Sequence, residues 1–334
     1  MQLPHHRPRL LEAQPFVEDL IQKIKASKLR VAIVVTTFHN DNDSTAQLVD
    51  ALCAAAKRGV MVTICADVYT YTEPKEFLLR SPKRQPMRAL RAISNERKLK
   101  SHGVDFHWLG RNSNFSFAGR THTKWMIVDD DVYSFGGVNI DKSSFTNTDL
   151  MMRFQGEKIA DIFFNQHLRL LKADRANHAS RSRAIELDDK TTLLFDGGIP
   201  ADSIIYRRAV KLARECASAT LVSQYCPTGK LARILKRKNT AFYFNHWKHA
   251  QWVNKGLIRL GMLFSRQQTL YTRDNYLHAK YILFIMPDAT KVAITGSHNF
   301  MSGSVFLGTR EVAVQTTDPK VIAALEKFHK KWVA

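Results

Sequence analysis

Two His-x-Lys triplets, His122-Thr-Lys124 and His278-Ala-Lys280, are each followed by a short apolar run, a turn, a second apolar run and a glycine step that ends in asparagine. The step is Gly136-Gly137-Val138-Asn139 in the first copy and Gly296-Ser297-His298-Asn299 in the second. One such triplet is common by chance, but two with the same sequel point to chemistry. Residues two apart on a strand share a face, so each triplet is expected on a strand, projecting an imidazole and an ammonium together. Cleaving a phosphodiester without a metal needs a nucleophile, an acid for the leaving alkoxide and cations for the phosphoryl oxygens. Converging on one site, two histidines, two lysines and the amides of Asn139 and Asn299 meet all three needs. One neutral imidazole attacks phosphorus to give a phosphohistidine. The other protonates the leaving group and then deprotonates the incoming alcohol or water, which requires different environments for the two rings. Gly137 and Ser297 are read as substrate contacts, and Asp129, Gly136 and Gly296 as structural members of the motif.

An attacking imidazole also needs an acceptor on its other nitrogen, to fix the tautomer and raise basicity. Asp149 and Glu311 suit this role. Each follows its asparagine after a short loop and opens an apolar strand, so each carboxylate can return toward the hairpin.

To position two such clusters, the chain must carry the same unit twice. A helical pattern (Phe16, Leu20, Ile21, Ile24), a strand (31–35), a helix (48–57) and a strand (60–66) recur as a helix through Ile204, Ala209 and Leu212, a strand (219–223), a helix (231–236) and a strand (240–244). Alternating strands and helices predict an α/β fold: two pseudo-twofold related α/β sandwich halves, each with a mixed, largely parallel sheet flanked by helices. The expected division is 1–190 and 191–334, with a basic insertion at 74–100 in the first half and a polar linker at 174–190. A last helix is signalled by Asp318 as N-cap, Pro319 at its first position and a stripe of Val321, Ile322, Leu325, Phe328 and Trp332.

Fifty Lys and Arg against thirty Asp and Glu give a net charge of +20, which favours polyanionic partners, nucleic acid or an anionic membrane surface. Cys53, Cys65, Cys216 and Cys226 have neither disulfide-framework nor zinc-ligand spacing, so no metal or other cofactor is expected. No apolar run approaches the roughly 18 residues of a membrane span, and Met1–Phe16 lacks the apolar core of an export signal. A cytoplasmic monomer is expected. Trp247, Lys248 and Trp252 mix ring and cation in the manner of residues at a lipid–water interface.

The first segment, His122-Thr-Lys124-Trp-Met-Ile-Val-Asp129 followed by Gly136-Gly137-Val-Asn139, resembles the HxKxxxxD and GGxN signature of the phospholipase D superfamily. The second resembles it with one departure, Ile285 where the pattern has Asp. Within the superfamily, Gly119-Arg-Thr-His122, Thr148-Asp149-Leu-Met-Met-Arg-Phe-Gln-Gly156 and Phe195-Asp-Gly-Gly198 are most similar to bacterial cardiolipin synthases. The resemblance implies phosphatidyl transfer or hydrolysis on an anionic glycerophospholipid, at the inner face of a membrane, with His122 as nucleophile and His278 as acid/base. The alternative is a metal-independent nuclease of the same superfamily, for which the charge is equally suited. A binding scaffold with a decayed site fits less well, because all six His, Lys and Asn positions are intact.

Overall fold

The structure, a computed structural model, describes residues 8–71, 87–110, 120–250 and 252–334, the side chains at 252 and 253 excepted. In the first half, β1 (Arg9–Glu12) leads into α1 (Ala13–Ala26), β2 (Arg30–Val35), α2 (Asp43–Lys57), β3 (Met61–Asp67), α3 (Met87–Ser101) and β4 (Asp105–Leu109). The hairpin of β5 (Trp125–Val128) and β6 (Asp131–Ser134) follows, then α4 (Lys142–Thr146), β7 (Leu150–Gln155) and α5 (Glu157–Arg175). The second half runs through β8 (Arg183–Glu186), β9 (Thr191–Gly197), α6 (Ile204–Glu215), β10 (Ser218–Val222), α7 (Gly229–Leu235), β11 (Asn239–Tyr243) and α8 (Trp252–Ser265). It closes with the hairpin β12 (Tyr281–Ile285) and β13 (Lys291–Gly296), then α9 (Ser302–Phe306), β14 (Arg310–Thr316) and α10 (Pro319–Trp332).

Each half builds a seven-stranded mixed sheet, ordered β1-β7-β6-β5-β2-β3-β4 and β11-β10-β12-β13-β14-β9-β8. The expected α/β architecture of two related halves is present, but the parallel share is smaller than expected. Among the described strands, only β2–β3, β3–β4 and β10–β11, whose members are joined through helices, pair in parallel. The remaining neighbours are antiparallel, because the hairpins β5–β6 and β12–β13 insert beside β2 and β10.

Strand β2 shows how the layers form. Val31, Ile33 and Val35 point into an outer core with α1 and α2. Ala32 and Val34 point the other way, into a core shared with Phe163 of α5, Leu193 of β9 and Leu325 of α10. A strand covered on both faces carries an unbroken apolar run. The outer face of the second sheet packs on α6 and α7 through Ile205, Ala209, Leu231 and Leu235. The shared core thus lies between the two sheets, and the site forms where the two halves meet at its edge.

Local signals mark several helix starts. Asn42 and Thr45 close a reciprocal capping box on α2, and Ser203 caps α6. Asp318 accepts from the Lys320 backbone N–H at 2.7 Å ahead of Pro319. Two expectations change. The polar stretch 174–190 contains β8, whose alternately half-buried and exposed residues form a sheet edge against β9. Of the insertion 74–100, the part from 87 onward is helix α3, buried through Ala89, Ala92, Asn95 and Leu99, and residues 74–86 lie outside the described residues. No helix among the described residues is long and apolar enough to cross a membrane.

Candidate active site

Both His-x-Lys triplets sit just ahead of β5 and β12 rather than on them. The residues before the histidines, Thr121 and Leu277, form parallel bridges with Arg310 and Thr148, which belong to the opposite half. The His122 N–H donates to the Arg310 carbonyl at 2.9 Å, and the His278 N–H donates to the Thr148 carbonyl at 2.9 Å. Each triplet has left its own sheet to pair with the residue that precedes the other half's carboxylate.

The carboxylates therefore cross. His122 Nδ1 lies 2.9 Å from Glu311 Oε2 and 3.1 Å from Oε1, and His278 Nδ1 lies 2.6 Å from Asp149 Oδ2. With each Nδ1–H donated to a buried carboxylate, Nε2 is the ring nitrogen left for chemistry. Both rings line one cavity of about 870 Å³ between the halves, together with Asn139 and Asn299. Lys124 and Lys280 are fully buried. Lys124 Nζ donates to the His122 carbonyl at 2.7 Å and to Thr36 Oγ1 at 2.8 Å, and Lys280 Nζ donates to the His278 carbonyl at 2.5 Å.

Burial governs the charges. It brings Lys124 down to about 7, helped by the Lys280 charge, and Lys280 down to about 8. His278 falls to about 4 through burial and then Lys280, with Asp149 opposing. His122 is lowered as well, chiefly by burial, with Glu311 opposing. For Glu311, burial alone would raise the value, but contact with His122, then His298 and Lys124, brings it down to about 2; Asp149 is lowered in the same way, chiefly by His278. Both carboxylates are thus charged and both rings neutral near pH 7.

The asparagines differ. Asn139 Oδ1 accepts from the Thr36 and Thr37 N–H groups at 3.2 and 3.3 Å. Asn299 Oδ1 is buried with no hydrogen-bond partner among the described residues. Gly137 and Ser297, expected to touch substrate, stand behind the carboxylates and are not among the cavity-lining residues. A Cβ on Gly137 would come within 2.6 Å of Asp149 Oδ2 and 2.7 Å of His278 Nδ1, so only glycine leaves room for that pair. Ser297 Oγ donates to Glu311 Oε2 at 2.5 Å. Gly136 and Gly296 pass so close to the Leu150 and Val312 carbonyls that a Cβ would meet them at 1.7 and 2.2 Å.

Asp129 lies away from the cavity, in a turn with φ of +50°, and accepts from the backbone N–H groups of Lys28, Leu29 and Arg30 at 2.9–3.0 Å. Ile285, its counterpart, is partly exposed at the end of β12. The departure from the motif is therefore confined to the base of a hairpin.

Sequence reasoning missed the residues that hold the triplets from behind. Asp67 is fully buried and accepts from the Thr121 N–H at 2.9 Å, and Asn245 accepts from the Leu277 N–H at 2.8 Å. Both are polar residues at the end of an apolar strand run, which is the signal that could have found them. Arg88, one of the basic residues of the insertion 74–100, stands on the cavity wall, where its Nε donates to Nε2 of His39, a residue the sequence did not single out, at 2.7 Å. Burial, and then the Arg88 charge, keep His39 neutral at about 4 and so able to accept.

The family model "Cardiolipin synthase, PLD-like domain" matches residues 20–170. No curated protein sequence matches the chain. Among solved structures, phosphatidylserine synthase from Haemophilus influenzae Rd KW20 aligns over 97% of this chain and 85% of its own, at 13% identity and a TM-score of 0.69. Polyphosphate kinase from Porphyromonas gingivalis aligns over 96% of this chain and 49% of its own, at 9% identity and a TM-score of 0.59. At such identities the likeness is one of fold, and the two names differ in chemistry. Residues 20–170 are thus similar in sequence to the phospholipase D-like domain of that family model, and through both halves the chain shares the fold of the phosphatidylserine synthase.

Proposed function

We propose that the chain is a cardiolipin synthase-like phosphatidyltransferase or phospholipase D, acting on anionic glycerophospholipids from the cytoplasmic face of a membrane. The observation that carries this reading is the exchange of carboxylates, which leaves two Nε2 atoms for one cavity, each histidine with a buried lysine on its own carbonyl.

In the proposed reaction, His122 Nε2 attacks phosphorus and the bond to the leaving alkoxide breaks, its oxygen taking the Nε2 proton of His278. An acceptor alcohol, or water, then returns a proton to His278 as its oxygen attacks, and the bond to His122 breaks. His122 as nucleophile is what the family resemblance implies. The hydrogen bonds favour the same assignment: Asp149 Oδ2 meets His278 at 2.6 Å, whereas Glu311 Oε2 is shared between His122 and Ser297. A proton on His278 is thus the better stabilised one in the loaded site. Burial and Lys280 keep that ring neutral by themselves, and a phosphodiester anion held between the lysines opposes both effects, so His278 takes up its acid proton from water as the anion binds. Lys124, Lys280 and the amides of Asn139 and Asn299 hold the phosphoryl oxygens. Gly137 and Ser297 act through the carboxylates as positioning residues.

Lipid is favoured over nucleic acid by the family model matched in the first half and by the apolar side chains Leu257, Met301 and Leu307 on the cavity wall. The net charge of +20 supports the second reading, a metal-independent nuclease. Incubation with phosphatidylglycerol vesicles, and separately with single- and double-stranded DNA, all in EDTA, distinguishes the two. Lipid turnover without DNA cleavage is expected; DNA cleavage without lipid turnover would overturn the proposal.

A further inference from the structure

Helix α8 is amphipathic in an unusual sense. Ile258 and Gly261 face inward, Gly261 close against Cys226. Leu257, Leu260, Leu263 and Phe264 face outward, the last three 51%, 69% and 80% exposed. Spacings of three, four and seven residues put them on one arc of the helix. A soluble chain rarely leaves that many large apolar side chains together on one helix face.

Cations border the arc. Lys248, Lys255 and Arg259 surround the Trp247 ring, their charged groups 5.8, 5.5 and 5.3 Å from its centroid. The charge is segregated on a larger scale too, since residues 216–273 contain ten Lys and Arg and no Asp or Glu. The apolar face is also continuous with the reaction cavity, because Leu257 lines that cavity along with both histidines.

We infer that the exposed face of α8, with its Trp247 cation cluster, docks the chain on an anionic phospholipid bilayer and opens the cavity onto that bilayer. The inference rests on the lipid reading above and names the surface through which it acts. An apolar arc beside cations and an interfacial tryptophan matches the two layers of a membrane surface, acyl chains below and phosphates above. A second copy of this chain would match the apolar arc but set Lys248, Lys255 and Arg259 against the same cations of the other copy. Trp252, singled out in the sequence for the same role, has its side chain outside the described residues.

The test is sedimentation of the full chain with vesicles of mixed phosphatidylglycerol and phosphatidylcholine, and with phosphatidylcholine alone. The variants are Leu263→Glu/Phe264→Glu and Lys255→Glu/Arg259→Glu, none of which lines the cavity. Wild type is expected to bind the anionic vesicles, and the first variant about tenfold or more weakly. The second variant should lose the preference for anionic vesicles and the sensitivity of binding to salt. Turnover of a short-chain phospholipid dissolved below its micelle concentration should be unchanged in both, while turnover in vesicles falls. Wild-type vesicle binding by Leu263→Glu/Phe264→Glu would overturn the inference and leave the lipid reading standing. So would a wild-type dimer that this variant dissolves. Failure of wild type to turn over the short-chain lipid would instead sink the lipid reading.

Discussion

The two halves repeat a fold but treat their histidines differently. Behind His278, Gly137 presents only its backbone N–H to Asp149, 3.2 Å from Oδ1, and the short carboxylate reaches the ring at 2.6 Å. Behind His122, Ser297 fills the corresponding place, and its hydroxyl takes one oxygen of the longer Glu311. Adding a hydroxyl on one side goes with a carboxylate one methylene longer. The result is that Oδ2 of Asp149 meets its imidazole alone, while Oε2 of Glu311 is shared with a hydroxyl, an asymmetry suited to an acid and a nucleophile. The hairpins differ too. The Asp129 carboxylate ties three backbone N–H groups in the first half, whereas Ile285 brings no side-chain acceptor to the second, its carbonyl alone accepting from the Ala217 N–H at 2.8 Å. The lost ties lie far from the cavity, where a difference between halves is cheap.

The strongest way to break the comparison is to remove each histidine. His122→Ala and His278→Ala should each lower kcat by at least about 10³-fold, and the double variant should be no worse than the worse single one. Additive losses in steady-state turnover would mean two independent sites.

The exchanged carboxylates come next. Asp149→Asn and Glu311→Gln should each cost about a hundredfold in kcat with little change in KM, because they disorient a ring without removing a substrate contact. Asp149→Asn should be rescued more for substrates with an acidic leaving alcohol, which need less protonation, whereas Glu311→Gln should not. Equal rescue in both would erase the distinction between the rings.

Smaller again is the exchange behind them. Gly137→Ala drives a methyl into Asp149, His278 and Lys280 and should cost about a hundredfold. Ser297→Ala removes one hydrogen bond to Glu311 and should cost about tenfold. Comparable losses would mean that Ser297 does more than position the carboxylate.

The mildest perturbation is pH. In the free enzyme Lys124 and Lys280 titrate near 7 and 8, so kcat/KM should fall as pH rises through that window and the cations lose charge. Stability runs the other way on the acid side. His39, His167, His278 and His298 all sit at about 4 when folded, below the unfolded value of 6.5. Between those values the unfolded chain binds more protons, so stability is full above about pH 6.5 and declines toward pH 4. A melting temperature flat from pH 7 to 4 would contradict the buried, neutral state of these rings.

Much of this was legible in the chain. The paired triplets, the repeated order of strands and helices and the cap at Asp318 are local signals, and the structure brings them together much as their spacing implies. The choice of carboxylate partner was not legible, because Glu311 and Asp149 lie 189 and 129 residues from the histidines they hold, and only the bridging of opposite halves decides it. Gly137 and Ser297 read as substrate contacts for the same reason: a motif shows which residues gather, not which stand in front. The triplets were placed on strands because their apolar sequels are strands, yet the residues themselves pair across the halves. The outward face of α8 was hidden as well, since its apolar residues Leu257, Ile258, Leu260, Met262, Leu263 and Phe264 fall on more than one side of the helix and give no sign of which arc is covered.

The central claim is a single reaction centre assembled from both halves. It is tested most directly by quenching the reaction with a labelled phospholipid and counting the phosphatidyl groups bound per chain by mass spectrometry. One group per chain, on His122 and absent from His122→Ala, is the expected result. Two groups per chain, or an undiminished label on His278 when His122 is removed, would contradict it.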